Sequence, residues 1–256
     1  MKSVKVELGD FEELEILPLA DLHIGDLNSN GKKIQEWLKY IENTPNCYTI
    51  LNGDIMNTAI KNSVSFDYAP TSPMEELQQC MKLFGPIKEK VLFISGGNHE
   101  RRILRETSID TTLLFAEQLG IGERYTAGIG IVFVQFGRQN SDKHNWPVLY
   151  SLLVTHGNGG GKKEGAKLQR LVDLSAIADC DIYLHSHTHL PMIAKNSYFR
   201  VDTRKCTVHK VDKLFVNTSS SLDYGGYGEI ANFKPNSLET PKIILSGREH
   251  RMRAVL

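Results

Sequence analysis

Residues 48–57 read Tyr-Thr-Ile-Leu-Asn-Gly-Asp-Ile-Met-Asn, an apolar run that ends in Gly53 and Asp54. A short apolar run closed by a glycine is typical of a buried strand, and the turn that follows presents the next polar side chain. Four other runs end in Asp, Asn or His residues in the same manner. Their endings are Asp21-Leu22-His23, Gly97-Asn98-His99-Glu100, Thr155-His156-Gly157 and His185-Ser186-His187-Thr188-His189. Five endings of one kind, spread along the chain, predict a shared functional site.

Short apolar runs alternate with segments of helical periodicity, which is typical of an α/β layered domain. We predict buried strands at Leu14–Ala20, Tyr48–Leu51, Val91–Ser95, Ile131–Phe136, Val148–Thr155 and Asp181–Leu184. We predict helices at Lys32–Glu42, Met74–Phe84, Ile109–Leu119 and Gly165–Leu174. After Pro191 the pattern changes to strands and turns, at Cys206–Val211, Leu214–Asn217 and Lys242–Val255. Because ligands of open α/β sheets bind beyond the carboxyl ends of strands, the five polar endings are expected to meet.

Length and composition predict one soluble domain. The 256 residues suffice for a single α/β domain, which we place over residues 1–256. Lys+Arg and Asp+Glu both number 30, so no net charge draws the whole chain to nucleic acid or membrane, although a local basic patch stays open. No apolar run approaches the ~20 residues that a membrane span needs. The four cysteines are scattered without a CxxC pair, which predicts reduced thiols and a cytoplasmic location.

The polar endings carry side chains that bind divalent metals. Carboxylate, amide and imidazole ligands suit Mn²⁺, which we favour, and also Fe, Zn or Ni, whereas the lack of thiolates argues against structural zinc. Two metals about 3.5–4 Å apart need a carboxylate that bridges them. Asp54 is the best candidate because it directly follows Gly53 at a predicted strand end. The remaining positive charge of such a pair would suit a phosphate ester.

The ordered set Asp-x-His, Gly-Asp-x-x-Asn, Gly-Asn-His-Glu, His-Gly and His-x-His resembles the calcineurin-like metallophosphoesterase superfamily. The resemblance extends from Asp21 to His189, about two thirds of the chain. It implies an α/β fold, a four-layer α-β-β-α sandwich of two mixed β-sheets flanked by helices. It also implies a metallophosphoesterase with a dinuclear metal centre. The stretches 52–63 and 155–163 resemble, in addition, the small enzymes of this superfamily that bacteriophages and prophages encode.

The same resemblance implies roles for individual residues. The residues implied for the first metal are Asp21, His23, Asp54 and His189. Those implied for the second metal are Asp54, Asn98, His156 and His187. A hydroxide that bridges the metals at Asp54 would attack phosphorus in line. His99, bound to neither metal, would contact the phosphate and protonate the leaving oxygen as a general acid.

Two positions depart from the family pattern. Ser186 stands where the last motif usually has glycine, and we interpret the neighbouring His185 as a structural or supporting residue and not as a ligand. Asn57 stands where family phosphoprotein phosphatases carry an acidic residue; an amide can orient His99 but cannot stabilise its imidazolium. We therefore predict a phosphodiesterase for a nucleotide or nucleic acid. The alternatives are a phosphomonoesterase for a small phosphorylated metabolite or nucleotide, and a non-catalytic scaffold of the same fold.

Three basic residues are candidates for substrate binding. Arg101 and Arg102 follow the proposed acid, where an arginine would clamp phosphate oxygens; a solvated first helical turn is an equal alternative. Lys162 lies in a glycine-rich loop that fails the Walker pattern, because Lys163 stands in place of Ser or Thr. The long loop 60–73 is interpreted as a lid, a specificity element or the contact of a homodimer.

Overall fold

The structure is a computed structural model that describes residues 1–63, 66–138 and 146–256. In chain order, its strands β1 to β12 are Lys2–Glu7, Glu13–Ile16, Cys47–Asn52, Val91–Ser95, Tyr125–Thr126, Gly130–Phe136, Val148–Val154, Ile182–His185, Met192–Asp202, Thr207–Asn217, Lys242–Ser246 and Met252–Val255. Its helices α1 to α6 are Gly31–Asn43, Pro73–Phe84, Glu100–Thr107, Thr111–Gln118, Glu164–Asp173 and Gly226–Ile230. Every buried strand and helix predicted before Pro191 is present, with ends that differ by a few residues.

The strands form two mixed sheets of six strands each. One sheet has the order β1-β6-β7-β8-β10-β9, and the other has the order β12-β11-β2-β3-β4-β5. The neighbours β7, β8 and β10 run parallel, as do β2, β3, β4 and β5. Because parallel neighbours end at the same edge of a sheet, the carboxyl ends that carry the polar motifs lie together.

The two sheets pack face to face, and helices cover their outer faces. Between the sheets, Ile50 and Phe93 of one sheet share a buried core with Val132 and Leu152 of the other. A second buried cluster joins α1, α2 and α4 to β3 and β4. A third joins α5 to β7, β8 and β10 on the opposite outer face. This four-layer α-β-β-α arrangement confirms the predicted fold class.

Local sequence explains the helices that cover the second sheet. The face that α1 buries consists of Ile34, Trp37, Leu38 and Ile41. Its N-cap is Asn30, whose side chain accepts a backbone N–H of the first turn. In α2, Ser72 and Glu75 form a capping box, and Pro73 occupies the first turn. Within the described ranges, no helix combines the length and apolar character that a bilayer crossing requires.

The structure adds elements that the sequence patterns did not predict. β1 and β9 are edge strands with few buried residues, so their sequences lack a clear apolar pattern. α3 lacks such a pattern because it is rich in charged residues. β10 is one continuous strand where two were expected, because it pairs with β9 along its whole length. Lys213 is buried inside it, and its Nζ contacts Asp179 at 2.6 Å. Residues 242–255 form the antiparallel pair β11 and β12.

Candidate functional site

All five polar endings meet at one end of the sandwich. The residues that follow β2, β3 and β4 are, in order, Asp21 and His23, Asp54, and Asn98 and His99. Those that follow β7 and β8 are His156, His187 and His189. The first set belongs to one sheet and the second to the other, so their side chains converge across the junction between the two sheets.

Asp21, His23 and His189 form one cluster, in which the atoms able to bind a metal lie within 4.8 Å of one another. His189 Nε2 lies 3.1 Å from Asp21 Oδ1. His23 is buried, and neither of its ring nitrogens has a hydrogen-bond partner among the described residues. A buried imidazole without partners is unfavourable unless a group from outside the chain binds it. A divalent cation fits this requirement.

Asp54, His156 and His187 form a second cluster with the same 4.8 Å limit. His156 Nε2 lies 3.2 Å from Asp54 Oδ2 and 3.1 Å from Asn98 Oδ1. His156 Nδ1 lies 2.8 Å from the backbone oxygen of Asn52, and this contact directs Nε2 toward the cluster. The second cluster therefore joins a carboxylate, an amide and two imidazoles.

Asp54 stands between the two clusters, because it also forms a group with His23 and His99. The backbone N–H of His99 donates to Asp54 Oδ1 at 2.8 Å, and His99 Nε2 lies 3.8 Å from Asp54 Oδ2. His99 Nδ1 lies 3.0 Å from the backbone oxygen of Asn57 and 3.1 Å from its Oδ1. Asn57 therefore orients the ring so that Nε2 faces Asp54.

A family model described as calcineurin-like phosphoesterase matches residues 22–191, about two thirds of the chain. The chain belongs to the calcineurin-like phosphoesterases. It is therefore a metallophosphoesterase, a hydrolase that acts on phosphoric ester bonds. A search of curated proteins found no match to this phosphoesterase.

Solved structures resemble this phosphoesterase at low identity. Calcineurin-like phosphoesterase YfkN from Bacillus subtilis is 13% identical, with 95% of this chain and 90% of that chain covered and a TM-score of 0.46. A conserved uncharacterized protein from Streptococcus pneumoniae TIGR4, described as a predicted phosphoesterase, is 14% identical, with 95% and 97% covered and a TM-score of 0.35. Protein AQ665 from Aquifex aeolicus, of unknown function, is 12% identical, with 69% and 80% covered and a TM-score of 0.31.

Buried carboxylates dominate the electrostatics of the phosphoesterase site. Burial alone would raise the pKa of Asp21 and Asp54, but the neighbouring histidines outweigh it and lower both pKa values. Burial would likewise lower the pKa of His156, yet Asp54 and Asp21 raise it to about 10. Burial and the charge of His156 lower the pKa of His187 to about 4. The site thus stabilises a positive charge between its carboxylates, as a cation site must.

The backbone of the site is left-handed at five non-glycine residues. They are Asp21 (φ +50°), His23 (φ +46°), Asp54 (φ +49°), His187 (φ +65°) and His189 (φ +54°). Non-glycine residues adopt this region rarely, and those that do cluster at functional sites. Sequence patterns did not predict this feature, because residue type alone does not reveal the sign of φ.

Glu100 holds the segment that carries Asp54, a role that the sequence patterns missed. Its Oε1 accepts the backbone N–H groups of Ile55 and Met56 at 2.7 and 2.9 Å. Its Oε2 accepts those of Asp54 and Gly97, both at 3.2 Å. Burial and the charge of Asp54 raise the pKa of this carboxyl to about 7. The fourth residue of Gly-Asn-His-Glu was the available signal, since a buried glutamate at a helix start needs donors.

Ser186, which replaces the family glycine, links the two sheets beneath the surface. Its buried Oγ accepts hydrogen bonds from Asn52 Nδ2 at 2.6 Å and from Thr218 Oγ1 at 2.8 Å. Asn52 Oδ1 in turn accepts from Ser95 Oγ at 2.6 Å. Asn52 is the residue whose backbone oxygen orients His156. The serine therefore takes part in a buried network that adjoins the second cluster.

The three candidate substrate residues occupy different surroundings. Burial lowers the pKa of the Arg102 guanidinium while Asp54 raises it, which places Arg102 within electrostatic reach of the site. Arg101 Nη2 donates at 2.8 Å to a backbone oxygen in the turn before β6. Lys162 Nζ donates at 2.9 Å to the backbone oxygen of Ala231.

The structure also locates His185 and most of the loop 60–73. His185 Nδ1 lies 2.7 Å from Asn217 Oδ1, and His185 belongs to none of the metal-type clusters found among the described residues. In the loop 60–73, residues 64 and 65 lie outside the described part of the chain. The backbone N–H of Leu27 donates to the oxygen of Tyr68 at 3.0 Å, so this loop packs beside the segment that follows His23.

Proposed function

We propose that this phosphoesterase is a dinuclear-metal-dependent phosphodiesterase that acts on a nucleotide or a nucleic acid. The observation that carries the proposal is the pair of clusters on either side of Asp54, with His99 beside them. The residues proposed for the first cation are Asp21, His23, Asp54 and His189. Those proposed for the second cation are Asp54, Asn98, His156 and His187.

The donor set fits the proposed cations. Both ring nitrogens of the buried His23 lack a hydrogen-bond partner among the described residues. The free cysteines, Cys47, Cys80, Cys180 and Cys206, lie outside the clusters. Oxygen and imidazole donors without thiolates favour Mn²⁺, with Fe, Zn or Ni as alternatives. When bound, two divalent cations would neutralise charge on the phosphoryl group and lower the pKa of the attacking water.

The chain itself supplies the proton and its orientation. His99 Nδ1–H would donate to the two oxygens of Asn57, so the proton that Nε2 gives to the leaving oxygen would be that of the imidazolium. Arg102 would add positive charge near the phosphate oxygens. Asn57 brings no carboxylate to His99, and this departure from the phosphoprotein phosphatases supports a diester as substrate.

The proposal is tested with metal-stripped protein refilled with Mn²⁺ and assayed on bis-p-nitrophenyl phosphate and p-nitrophenyl phosphate. We expect metal-dependent cleavage of the diester, abolished by Asp54→Asn. For His99→Ala we expect a loss of about 10²–10⁴-fold with a diester whose leaving group is a poor one. The loss should be smaller with p-nitrophenolate, which leaves without a proton. The matched control is His209→Ala, a histidine exposed on β10.

The other outcomes select the alternatives. Turnover of p-nitrophenyl phosphate alone would favour the phosphomonoesterase. If the folded wild-type protein binds no metal, and Asp54→Asn folds as the wild type does, the non-catalytic scaffold would be favoured. An equal loss for His99→Ala with good and poor leaving groups would contradict its role as an acid.

Several finer statements stay predictions alongside this proposal. They concern a single domain over residues 1–256, a cytoplasmic location, a homodimer that uses the loop 60–73, and kinship with phage-encoded enzymes. Sedimentation of the purified protein over a range of concentrations would test the homodimer directly.

A further inference from the structure

A group of cationic side chains surrounds the start of α5. Its members, named here the basic ledge, are Lys162, Lys163, Lys167, Arg170 and Lys234. Lys234 joins the group because its Nζ contacts Glu164 Oε1 at 2.9 Å in the first turn of α5. Lys167 and Arg170 are three residues apart and so share one face of the helix. Burial lowers the pKa of Lys167, Glu164 opposes this, and the charges of Lys234 and Arg170 lower it further, which places these three cations in mutual reach.

The basic ledge borders the metal-type clusters. Lys167 Nζ donates to the backbone oxygen of Thr188 at 2.8 Å, between the two proposed ligands His187 and His189. Arg170 Nη1 donates at 2.7 Å to the oxygen of Gly159, in the loop that follows His156. On the Lys234 side, Asn236 Nδ2 lies 3.5 Å from His189 Nδ1. Positive charge therefore continues outward from the site along one rim.

An aromatic side chain accompanies these cations. Lys162 Nζ lies 5.5 Å from the centre of the Phe233 ring, and Phe233 is 43% exposed. Cations that follow a backbone, together with exposed aromatic rings, are the combination found in proteins that bind single strands. The chain as a whole has a formal charge of zero, so this rim is a local departure from the average.

We propose that the basic ledge binds the phosphate groups that flank the scissile phosphate in a single-stranded nucleic acid. This inference rests on the proposed phosphodiesterase function, because it extends the substrate from the site along the rim. A mononucleotide offers its one phosphate to the metal centre and leaves the ledge without a ligand. A strand offers further phosphates in both directions, and lysine and arginine pair with them through charge-assisted hydrogen bonds.

The test is the binding of a fluorescein-labelled phosphorothioate octathymidylate, which resists hydrolysis, to the protein as purified. Fluorescence anisotropy gives Kd at increasing KCl. Each phosphate contact contributes a slope of about −0.7 to log K against log salt, so a fourfold rise in salt weakens binding about 2.6-fold per contact. We expect the Lys163→Gln/Lys234→Gln double variant to bind more weakly and to lose about 1.4 of the slope. Lys39→Gln, an exposed lysine on α1, is the matched control.

Equal Kd and equal slope for the double variant and Lys39→Gln would overturn the basic ledge. A blunt duplex bound more tightly than the single strand would overturn the choice of ligand. Hydrolysis of bis-p-nitrophenyl phosphate separates this inference from the proposed function. Metal-dependent hydrolysis with an unchanged Kd for the double variant refutes the ledge alone, whereas salt-dependent binding without any hydrolysis refutes the phosphodiesterase alone.

Discussion

Replacement of Glu76 by glutamine is expected to stabilise the protein above neutral pH. Glu76 is fully buried, and its Oε2 accepts the backbone N–H of Thr58 at 2.6 Å. A Cβ at Gly25 would lie 2.2 Å from Glu76 Oε1, so the carboxyl is tightly enclosed. Burial raises the pKa of Glu76 from 4.5 to about 7, and the charge of Glu100 adds to this rise.

The sign of the effect follows from proton binding. Between pH 4.5 and about 7 the folded protein keeps a proton on Glu76 that the unfolded chain releases, so stability falls as pH rises through this window. A rise of the pKa from 4.5 to about 7 corresponds to about 3 kcal/mol as an upper bound. Glutamine keeps an acceptor for Thr58 and removes the charge, and so it should recover this free energy above pH 7 and none of it below pH 4.5.

Urea unfolding from about pH 4 to about pH 8.5, in EDTA so that metal release does not contribute, measures the difference between variant and wild type. Glu76→Ala supplies the contrast, because it also removes the charge but leaves the Thr58 N–H without an acceptor, so it should be about 1–3 kcal/mol less stable than Glu76→Gln at every pH. Glu89→Gln, an exposed glutamate, is the control. A difference between Glu76→Gln and wild type that is the same at both ends of the pH range would refute the reasoning.

Three further predictions follow from other contacts. A Cβ at Gly97 would lie 2.1 Å from Asp54 N and Oδ1, so Gly97→Ala should displace Asp54 and lower kcat/KM about 10²-fold. Gly165 has open space around the position of a Cβ, so the control Gly165→Ala should leave kcat/KM unchanged. His250, its pKa raised by its contact with Asp181, should contribute below about 1 kcal/mol of ion-pair stability below pH 6.5, and this contribution should fade as pH rises through the raised pKa. The free energy of unfolding lost in His250→Ala should therefore shrink over that range to the part due to the stacking of His250 on Tyr150. EDTA should lower Tm, since a cation at 100 times its Kd adds about 2.7 kcal/mol; an unchanged Tm would count against the metal site.

The sequence predicted the layers because the decisive strands are short, apolar and closed by glycine or a polar motif. The run 48–57 became β3 and the turn of Asp54, and Val91–Ser95 became β4 with the same ends. The clustering of the five endings was predictable for the same reason, since strand ends of an α/β sheet share one edge. Sequence spacing was therefore enough to place the residues of the site near one another.

Contacts between residues distant in sequence were beyond such patterns. The hydrogen bond from Asn52 to Ser186 joins residues 134 positions apart, and no local sequence pattern around either residue predicts it. The basic ledge depends on Lys234 returning to the first turn of α5, some 70 residues from Glu164. The continuous β10 depends on its pairing with β9, and the burial of Lys213 within it is stabilised by Asp179 and Tyr183. Tertiary partners decide each of these cases, not local propensity.

The left-handed residues of the site lower the stability of the fold at the positions that the proposed activity needs. Each non-glycine residue held at positive φ costs roughly 1–2 kcal/mol relative to a relaxed backbone, and Asp21, His23, Asp54, His187 and His189 all lie there. A chain optimised for stability alone would place glycine at these positions and relieve the strain. It would also lose five of the six side chains that form the two clusters. The remainder of the sandwich must therefore be stable enough to tolerate its own site, and design for thermostability should leave these positions unchanged.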